Sequence, residues 1–405
     1  MSEVSTGRHR GESRKRHHVA RFFGYFALTM TICIGLFSAY TYRHLNENLN
    51  TINIEKQLGQ RPDEVDVEGP KDPLNILVMG SDTRAGDNNI DGLEHGTELS
   101  DTTILLHVSA DRKFAYGVSL PRDAMVQRPT CYEKDGTEIP GGFDMWNAAF
   151  AYGGEACTVR QFEQLSGVRV DHFVKVDFAG FKDMVDAIGG VEICVPKDVD
   201  DYVGNIHLKA GTRMVKGQEA LDYVRIRHNI SSNGDIGRMK RQQVFIASMV
   251  DRVMSKGVLA RPDRLVKFLY AATDSLTLDH KLDSIDKLAG LGGELQDIGL
   301  DNIKFITVPW DFYQPDPNRL VWAEEADVLW NKVKNDKPLT RRLSSEVVSA
   351  AQRPGSTADP KPEKSGSPSE ETSESGQPEE DESREPESSQ TDDAAATAAA
   401  NGLCA

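Results

Sequence analysis

The sequence predicts an α/β fold: a layered α/β/α domain over residues 71–345, preceded by one membrane-spanning helix. Two observations support this prediction. Apolar runs typical of buried strands alternate along the domain with segments in which apolar residues recur at helical spacing. Near the N-terminus, residues 22–40 form an uncharged, mostly apolar run that is long enough, as a helix, to cross the hydrocarbon core of a bilayer.

The N-terminal segment, residues 1–21, is basic, which predicts that it stays in the cytoplasm and that the chain beyond the span lies outside the cell. Residues 41–70 are then expected to form a polar stalk with helical stretches between the membrane and the domain. A cleaved signal peptide is the alternative for residues 22–40. It is disfavoured because the apolar run is long and no small-residue cleavage motif follows it.

The first half of the domain begins with a predicted strand in DPLNILVMG, which ends at Gly80. The next segment, SDTTILLHVSADRKFAYGVSLPRD, predicts a hairpin of two strands, Ile104–Val108 and Ala115–Leu120. WNAAFAYGGEACTVRQFEQLSG has helical spacing and ends at Gly167. DHFVKVDFAGFKDMVDAIGGVEICVP predicts a strand, a helix that ends at a Gly-Gly pair, and a second strand.

In the second half, GTRMVKGQEALDYVRIRHN predicts a short helix followed by an extended segment that contains Arg225 and Arg227. A long helix is predicted from Asp235 to about Met254, a further helical region over residues 261–297, and a strand in NIKFITVPW. Strands and helices therefore alternate along the domain, which predicts an α/β or α/β/α layered arrangement over residues 71–345.

The C-terminal segment, residues 346–405, is predicted to be disordered because it is rich in Pro, Ser, Glu and Gly and has few apolar side chains to bury. From Pro354 onward it contains thirteen Asp and Glu against three Lys and Arg, so ten of the sixteen net negative charges lie there. The rest of the chain is only mildly acidic, and a cluster of cations within it is a local feature.

The cysteines agree with an oxidising location outside the cell. One of the five, Cys33, lies in the predicted membrane span, which leaves an even number for disulfides: Cys131, Cys157, Cys194 and Cys404. Spacing alone allows three pairings. We favour a local bridge between the first two and a bridge from the third to the C-terminus, with free buried thiols as the alternative. The Cys and His spacings show no zinc motif.

The stretch YVRIRHNISSNGDIGRMKRQQ concentrates cations in an acidic chain. Residues two apart on an extended segment share a face, so Arg225 and Arg227 are expected to point the same way. Residues three and four apart share a helical face, so Arg238, Arg241 and Gln242 are expected on one stripe. Paired guanidinium groups suit the oxygens of phosphate or pyrophosphate, to which they donate two hydrogen bonds at once.

Carboxylates accompany these cations. Asp82 follows the first predicted strand and Asp101 precedes the second, while Asp235 stands where it can cap the long helix. Oxygen ligands at strand ends suit a hard divalent cation such as Mg²⁺ (or Mn²⁺), which would bridge them to phosphate oxygens. Arg122, in SLPRD just after a predicted strand, is a further candidate for binding the anion. Nucleic acid is a poor fit because the chain is acidic and aromatic residues do not interleave the cations.

Together these segments resemble the LytR-CpsA-Psr family over about residues 70–255. The resemblance rests on the order and spacing of LNILVMGSDTR, SDTTILLHVSADRK, SLPRD, NAAFAYGG, VDFAGFKDMVDAIGGVEICVP, GQEALDYVRIRHN and GDIGRMKRQQ. It implies a central mixed sheet with an apolar pocket for a polyprenyl chain. It also implies a membrane-anchored phosphotransferase, of actinobacterial type, that moves a glycopolymer from a polyprenyl-pyrophosphate carrier to peptidoglycan or another cell-wall acceptor as a phosphodiester.

Residue roles follow from the same resemblance. It implies Asp82 and Asp101 as metal ligands; Arg122, Arg225, Arg227, Arg238 and Gln242 at the pyrophosphate; Asp101, Arg122 and Arg84 in catalysis; and Asn147, Asp235 and Arg241 as support. The apolar faces of residues 178–190 and 236–254 are pocket candidates. Many members have an Arg at the position where this chain has Leu99. In this chain, Arg84 would have to take over the role of that arginine. A lipid-binding module, a pyrophosphatase and a ligase that glycosylates a surface protein therefore stay open as alternatives.

Overall fold

The computed structural model describes residues 13–81, 100–254, 258, 261–340, 342–343, 347–352, 354 and 396–404. The helices are α1 (Ser13–Glu47), α2 (Glu55–Leu58), α3 (Ala148–Ser166), α4 (Phe178–Ala187), α5 (Gly217–Arg225), α6 (Gly234–Met254), α7 (Pro262–Ser275), α8 (Ile285–Ile298) and α9 (Glu325–Lys334), with a 3₁₀ turn at Leu300–Asn302. The strands are β1 (Asn50–Ile52), β2 (Leu74–Ser81), β3 (Ser100–Val108), β4 (Ala115–Leu120), β5 (Met125–Arg128), β6 (Cys131–Tyr132), β7 (Glu138–Ile139), β8 (Gly142–Met145), β9 (His172–Val176), β10 (Val191–Val195), β11 (Val199–Asp201), β12 (Ile206–Leu208), β13 (Gly211–Val215), β14 (Leu276–Asp279), β15 (Ile303–Thr307), β16 (Trp310–Phe312), β17 (Leu320–Trp322) and β18 (Val348–Ser349).

The central sheet has the strand order β1-β14-β9-β2-β3-β4-β15-β18. Strand β3 runs antiparallel to both of its neighbours, β2 and β4, whereas β9 is parallel to β2 and β15 is parallel to β4. The predicted mixed sheet and the β3–β4 hairpin are therefore confirmed. The other described strands form two-stranded ribbons: β5–β8, β6–β7, β10–β13, β11–β12 and β16–β17.

Helices cover both faces of this sheet. Successive side chains of a strand point to opposite faces, so neighbouring residues of one strand pack against different helices. On one face, Leu77 and Leu105 pack with Phe162 of α3 and Trp330 of α9. On the other face, Leu106 packs with apolar residues of α6 and α8. This arrangement confirms the predicted α/β/α layers.

The predicted long helix is α6, and one buried side chain fastens it to the sheet. Gln243 donates from Nε2 to the hydroxyl oxygens of Ser119 on β4 and Thr307 on β15, each at 3.0 Å. Both strands end close to these residues. The N-terminal turn of α6 is therefore held near the sheet edge at which β4 and β15 end.

Helix α1 contains one apolar stretch, His18–Glu47, that is long enough to cross a membrane by length and composition. In the segment 41–70, the expected helical stretches are present, but an exposed polar stalk is wrong as far as residue 58. Helix α1 continues to Glu47 and buries Leu45, β1 joins the edge of the sheet, and Leu58 is buried in the core. These apolar side chains draw the segment into the domain.

The C-terminal prediction also needs correction. Residues 348–349 form β18 and extend the sheet beyond the expected boundary at residue 345. Residues 396–400 are helical, and the segment 396–404 is joined to β10 by a disulfide between Cys194 and Cys404. The prediction of disorder is therefore wrong for these described parts of the tail. The disulfide stabilises the segment 396–404, whose composition offers few apolar side chains to bury.

The second disulfide joins Cys131 and Cys157, so both favoured pairings are confirmed. The predicted helical region over 261–297 is wrong in its middle, where strand β14 separates α7 from α8 and pairs with β9 and β1. Leu278, buried within β14, explains why sheet pairing prevails over helical propensity there.

Candidate active site

A cluster of charged side chains lies at one edge of the central sheet, where β2 and β4 end and β3 begins. Gly80 pairs with Thr102 and Ser81 pairs with Ser100, so Asp101 is an extra residue on β3 and forms a bulge. Bulges of this kind re-aim a side chain and are common beside active sites. Asp101 therefore lies within its strand rather than before it, at a position whose side chain the bulge redirects.

Guanidinium groups hold Asp101. Its Oδ1 lies 2.5 Å from Nη1 of Arg122 and 3.6 Å from Nη2 of Arg227. Arg238 donates from Nη2 to the backbone carbonyl oxygen of Asp101 at 3.4 Å. Burial by itself would raise the pKa of Asp101, but the charges of the three arginines outweigh burial and lower this pKa below its usual value. Asp101 is therefore ionised at neutral pH.

Arg122 lies among three carboxylates. Besides contacting Asp101, its Nε lies 3.5 Å from Oδ2 of Asp123 and 3.5 Å from Oδ1 of Asp235. Burial acts to lower the pKa of Arg122, but these carboxylates outweigh it and raise the pKa. Asp235 also lies 2.8 Å from Nη2 of Arg238, within the first turn of α6. The start of α6 and the end of β4 are thus joined by alternating charges.

Arg227 follows α5 and faces the same cluster. Burial and the nearby cations Arg238 and Arg122 lower its pKa, while Asp101 acts in the opposite direction. The positive charge of Arg227 is therefore poorly compensated. An anion bound among these arginines would relieve that repulsion.

Several buried polar atoms in this cluster lack a hydrogen-bond partner among the described residues. They are Nε of Arg122, Nε of Arg238 and Oδ1 of Asn147. Buried polar groups are almost always hydrogen-bonded, so such a concentration suggests that a polar ligand or water completes the site. The two unsatisfied guanidinium N–H groups suit an anion in particular.

Three of the predicted pyrophosphate ligands, Arg122, Arg227 and Arg238, thus come together, but two do not. Arg225 is the last residue of α5, so the predicted extended segment is wrong at this position, and its guanidinium lies over the ring of Phe178 at 4.8 Å. Gln242 donates to the carbonyl oxygen of Val224 at 3.0 Å. The helical backbone turns Arg225 and Arg227 away from the shared face that an extended segment would have produced.

Two of the supporting residues act on the backbone. Asn147 donates its backbone N–H to the carbonyl oxygen of Arg122 at 3.2 Å. Arg241 is fully buried and donates to the carbonyl oxygens of Ile226, at 2.6 Å, and of Asn401, at 2.9 Å. Burial lowers the pKa of Arg241 to about 10. Arg241 therefore fastens the loop before Arg227 to the C-terminal segment instead of facing the cluster.

The predictions for Asp82, Arg84 and the Leu99 position lie outside the described residues. Two residues that the sequence analysis missed belong to the cluster. Asp123 directly follows Arg122, and Nη1 of Arg319 donates to its Oδ1 at 3.0 Å. The adjacency of Asp123 to Arg122 was a signal that the sequence contained. Arg319 has no comparable signal, because the fold alone brings it across 196 positions to Asp123.

Within the described part of the chain, no group of three or more His, Cys, Asp and Glu side chains is arranged to hold a metal ion. Mg²⁺ requires fewer protein ligands, because it keeps several waters and binds through one or two carboxylates together with substrate phosphates. Asp101 is ionised and partly exposed at the sheet edge, so it fits one such ligand. Ser81, which precedes Asp82, pairs with Ser100 and so ends β2 beside Asp101.

The apolar helices behind the cluster differ in their packing. On the predicted pocket face of residues 178–190, Val185 and Ile188 are fully buried and Phe181 is partly buried, so most of this face belongs to an ordinary core. On α6, Val244, Ile246 and Val250 are only partly buried and face the sheet together with Leu295 of α8. The incompletely covered face of α6 is the better candidate for contact with an apolar ligand.

Comparison with known proteins agrees with this fold and site. A family model described as the LytR_cpsA_psr family matches residues 39–335. Cell wall biosynthesis protein LcpA of Corynebacterium glutamicum is 29% identical over 261 residues, which cover 58% of this chain and 49% of LcpA. The polyisoprenyl-teichoic acid–peptidoglycan teichoic acid transferase TagV of Bacillus subtilis is 30% identical over 250 residues, 60% of each chain. The chain thus spans about half the length of the first curated relatives it matches.

A solved structure described as TagT bound to LI-WTA superposes with a TM-score of 0.52. It is 23% identical and covers 70% of this chain and 98% of the TagT chain. At this identity the likeness concerns the fold alone, and it agrees with a mixed sheet between helical layers.

Proposed function

The chain belongs to the LytR-CpsA-Psr family, and on this premise we propose that it is a membrane-anchored phosphotransferase. It moves a glycopolymer from a polyprenyl-pyrophosphate carrier to peptidoglycan. The observation that carries the proposal is the convergence of Arg122, Arg227 and Arg238 around Asp101, with guanidinium N–H groups left unsatisfied. The printed name of TagV, which pairs a polyisoprenyl-linked polymer with peptidoglycan, supports the substrate class.

In the proposed reaction, an acceptor hydroxyl attacks the phosphorus next to the glycan. A phosphodiester bond forms, the bridging P–O bond breaks, and polyprenyl phosphate leaves with the bonding electrons, while the hydroxyl proton passes to water. The three arginines bind the phosphate oxygens and stabilise the charge that develops on them. Before the donor binds, Asp101 is the charge partner of Arg122, whose Nη1 lies 2.5 Å from its Oδ1.

Mg²⁺ is part of the proposal. Asp101, with Asp82, would hold the ion, and the ion supplies charge neutralisation to the phosphate oxygens. In the described structure Arg122 is paired with Asp101. A pyrophosphate that takes over Arg122 would release Asp101, which makes the carboxylate available as an oxygen ligand. Donor and cation are therefore expected to bind cooperatively.

The location follows from the same proposal. The basic residues before α1 favour a cytoplasmic N-terminus and an extracellular domain. Near the membrane end of the domain, the ring of His44 in α1 lies 5.5 Å from that of Tyr270 in α7, and Tyr42 donates to Asp286 of α8 at 2.7 Å. These contacts support a domain whose α6–α8 layer lies towards the bilayer, from which a polyprenyl chain would enter.

The test uses the full-length chain in detergent with a short polyprenyl-pyrophosphate glycan, Mg²⁺ and peptidoglycan oligomers. Mass spectrometry is expected to detect a phosphodiester-linked adduct that disappears with Arg227→Ala or with a chelator. Free glycan phosphate in the absence of acceptor would instead identify a pyrophosphatase. Bound lipid without product for any acceptor, including a surface protein, would identify a binding module.

A further inference from the structure

Exposed aromatic side chains lie on elements that surround the turn between β4 and β5, which contains Arg122. Beyond α1, the described aromatic residues with largely exposed side chains are Phe143, Tyr152, Tyr202 and Phe312. Three of them lie on elements that are bonded to this turn. Phe143 is on β8, which pairs with β5; Tyr152 is in the first turns of α3; and Phe312 is on β16, which pairs with β17. Only Tyr202, on the β11–β12 ribbon, lies elsewhere.

The backbone joins these elements directly to the site. Asn147, at the start of α3, donates its N–H to the carbonyl oxygen of Arg122 at 3.2 Å. Leu320, at the start of β17, donates its N–H to the carbonyl oxygen of Asp123 at 3.4 Å. The aromatic residues are therefore carried by the same rigid frame that positions Arg122.

Two rings on this frame form an exposed pair. The centroids of Phe143 and Tyr313 lie 5.8 Å apart with their planes inclined at 53°. Phe143 is 53% exposed and Tyr313 is partly exposed. Tyr313 is linked to the site through Arg319, whose carbonyl oxygen accepts from the Tyr313 N–H at 2.9 Å and whose guanidinium binds Asp123.

The loop that carries Tyr313 is held in one conformation. Asp316 donates its N–H to Tyr313, and Arg319 donates its N–H to Asp316, each at 2.9 Å. The amide nitrogen and the side chain of Asn318 both donate to Oδ1 of Asp316 at 3.0 Å. Two prolines, Pro315 and Pro317, stiffen the loop further. A ligand that binds here would therefore order little additional structure.

We propose that Phe143 and Tyr313 form a platform for a sugar ring of the acceptor glycan, on the same frame of strands that carries Arg122. The proposal rests on the proposed function and names the acceptor side of the same site. The C–H face of a pyranose packs on aromatic rings, while its hydroxyls bond to carboxylate, amide and guanidinium groups. Asp316, Asn318 and Arg319 supply those groups beside the rings.

The size of the platform favours a sugar over a protein. Two partly exposed rings offer on the order of 200 Å², whereas a stable protein interface buries roughly 800 Å² on each partner. Its position also separates it from the lipid. The neighbouring Ala124, Val126 and Leu320 pack into the core on the α3 side of the sheet, whereas the partly covered apolar face of α6 lies on the opposite side. Donor lipid and acceptor glycan would thus approach Arg122 from opposite faces.

The test measures transfer rates for the full-length chain in detergent while the concentration of soluble peptidoglycan glycan strands is varied. Phe143→Ala and Tyr313→Ala are each expected to raise the KM for the acceptor about tenfold, the loss of one ring contact. The KM for the polyprenyl-pyrophosphate donor should stay the same, and Phe143→Tyr should restore the acceptor KM. Tyr202→Ala, which removes a more exposed ring on the β11–β12 ribbon, is the matched control.

A second measurement separates this proposal from the proposed function. Isothermal titration of the glycan strands alone, without donor, is expected to give binding that Phe143→Ala weakens and Tyr202→Ala does not. If the wild-type chain transfers glycan but the acceptor KM of both alanine variants is unchanged, the platform is wrong and the transferase stands. If no acceptor is modified but the glycan strands still bind at Phe143, the transferase is wrong and the platform stands.

Discussion

Replacing Asp101 by Asn should separate anion binding from turnover. The cluster around Arg122 contains the guanidiniums of Arg122, Arg227 and Arg238 and the carboxylates of Asp101, Asp123 and Asp235. The substitution keeps an oxygen that can accept from Arg122 but removes one negative charge. Without divalent cations, we expect the variant to bind inorganic pyrophosphate about tenfold more tightly, from about 1–2 kcal/mol of relieved repulsion.

Turnover should change in the opposite direction. If Asp101 holds a cation that stabilises the reacting phosphates, its loss should lower kcat by about 10²–10⁴-fold in the presence of Mg²⁺. Titration calorimetry with a chelator present measures the first effect, and initial rates of adduct formation measure the second. Asp198→Asn is the control, because Asp198 pairs with Lys209 on the surface. Weaker pyrophosphate binding by the Asp101 variant, or unchanged turnover, would refute the reasoning.

Three further predictions concern stability, each measured by chemical denaturation. Because the fold lowers the pKa of Asp101, its ion pairs stabilise the protein fully above the unfolded pKa of about 3.9 and lose this effect as the pH falls through the lower folded pKa. The difference in unfolding free energy between wild type and Asp101→Asn should therefore be constant from about pH 5 to 8 and shrink as the pH falls below about 3.9. A difference that widens in acid would contradict this. Cys404→Ser removes a disulfide between residues 210 positions apart and should lower the free energy of unfolding by about 5 kcal/mol. Cys131→Ser removes a disulfide that spans 26 positions and should lower it by about 3.5 kcal/mol. Equal losses would argue against an effect of loop length. Gly180→Ala should cost about 1–3 kcal/mol because the new Cβ would lie 2.0 Å from Cβ of Ser275, where α4 meets α7, and a neutral result would show that these helices can separate.

Much of the framework followed from local pattern. The β3–β4 hairpin and helix α6 were predictable because their apolar residues recur with the period of the element and are bounded by turn or capping residues. Arg122, Arg227, Arg238 and Asp101 were predictable as a group from the resemblance and from their chemistry. The local pattern around Arg225 misled because a helix and an extended segment distribute the same two arginines differently.

The tail shows the limit of composition. A segment of Ala, Ser and Glu has too few apolar side chains to fold by itself, so disorder was the reasonable expectation. Residues 396–404 nevertheless pack against the domain: Cys404 is bonded to Cys194, and buried Arg241 donates to the carbonyl oxygen of Asn401. Neither partner is near the tail in sequence.

The sequence by itself determined the period of each element, the compartment expected for the cysteines, and the chemical types gathered for a phosphate site. Only the tertiary structure decided which of those groups meet. A bulge re-aims the side chain of Asp101, the fold brings Arg319 to Asp123, and Arg225 lies over Phe178 instead of in the charged cluster. The physical reason is that propensity and periodicity act over a few residues. Contacts between distant residues depend on how whole layers pack, and that information is spread over the entire chain.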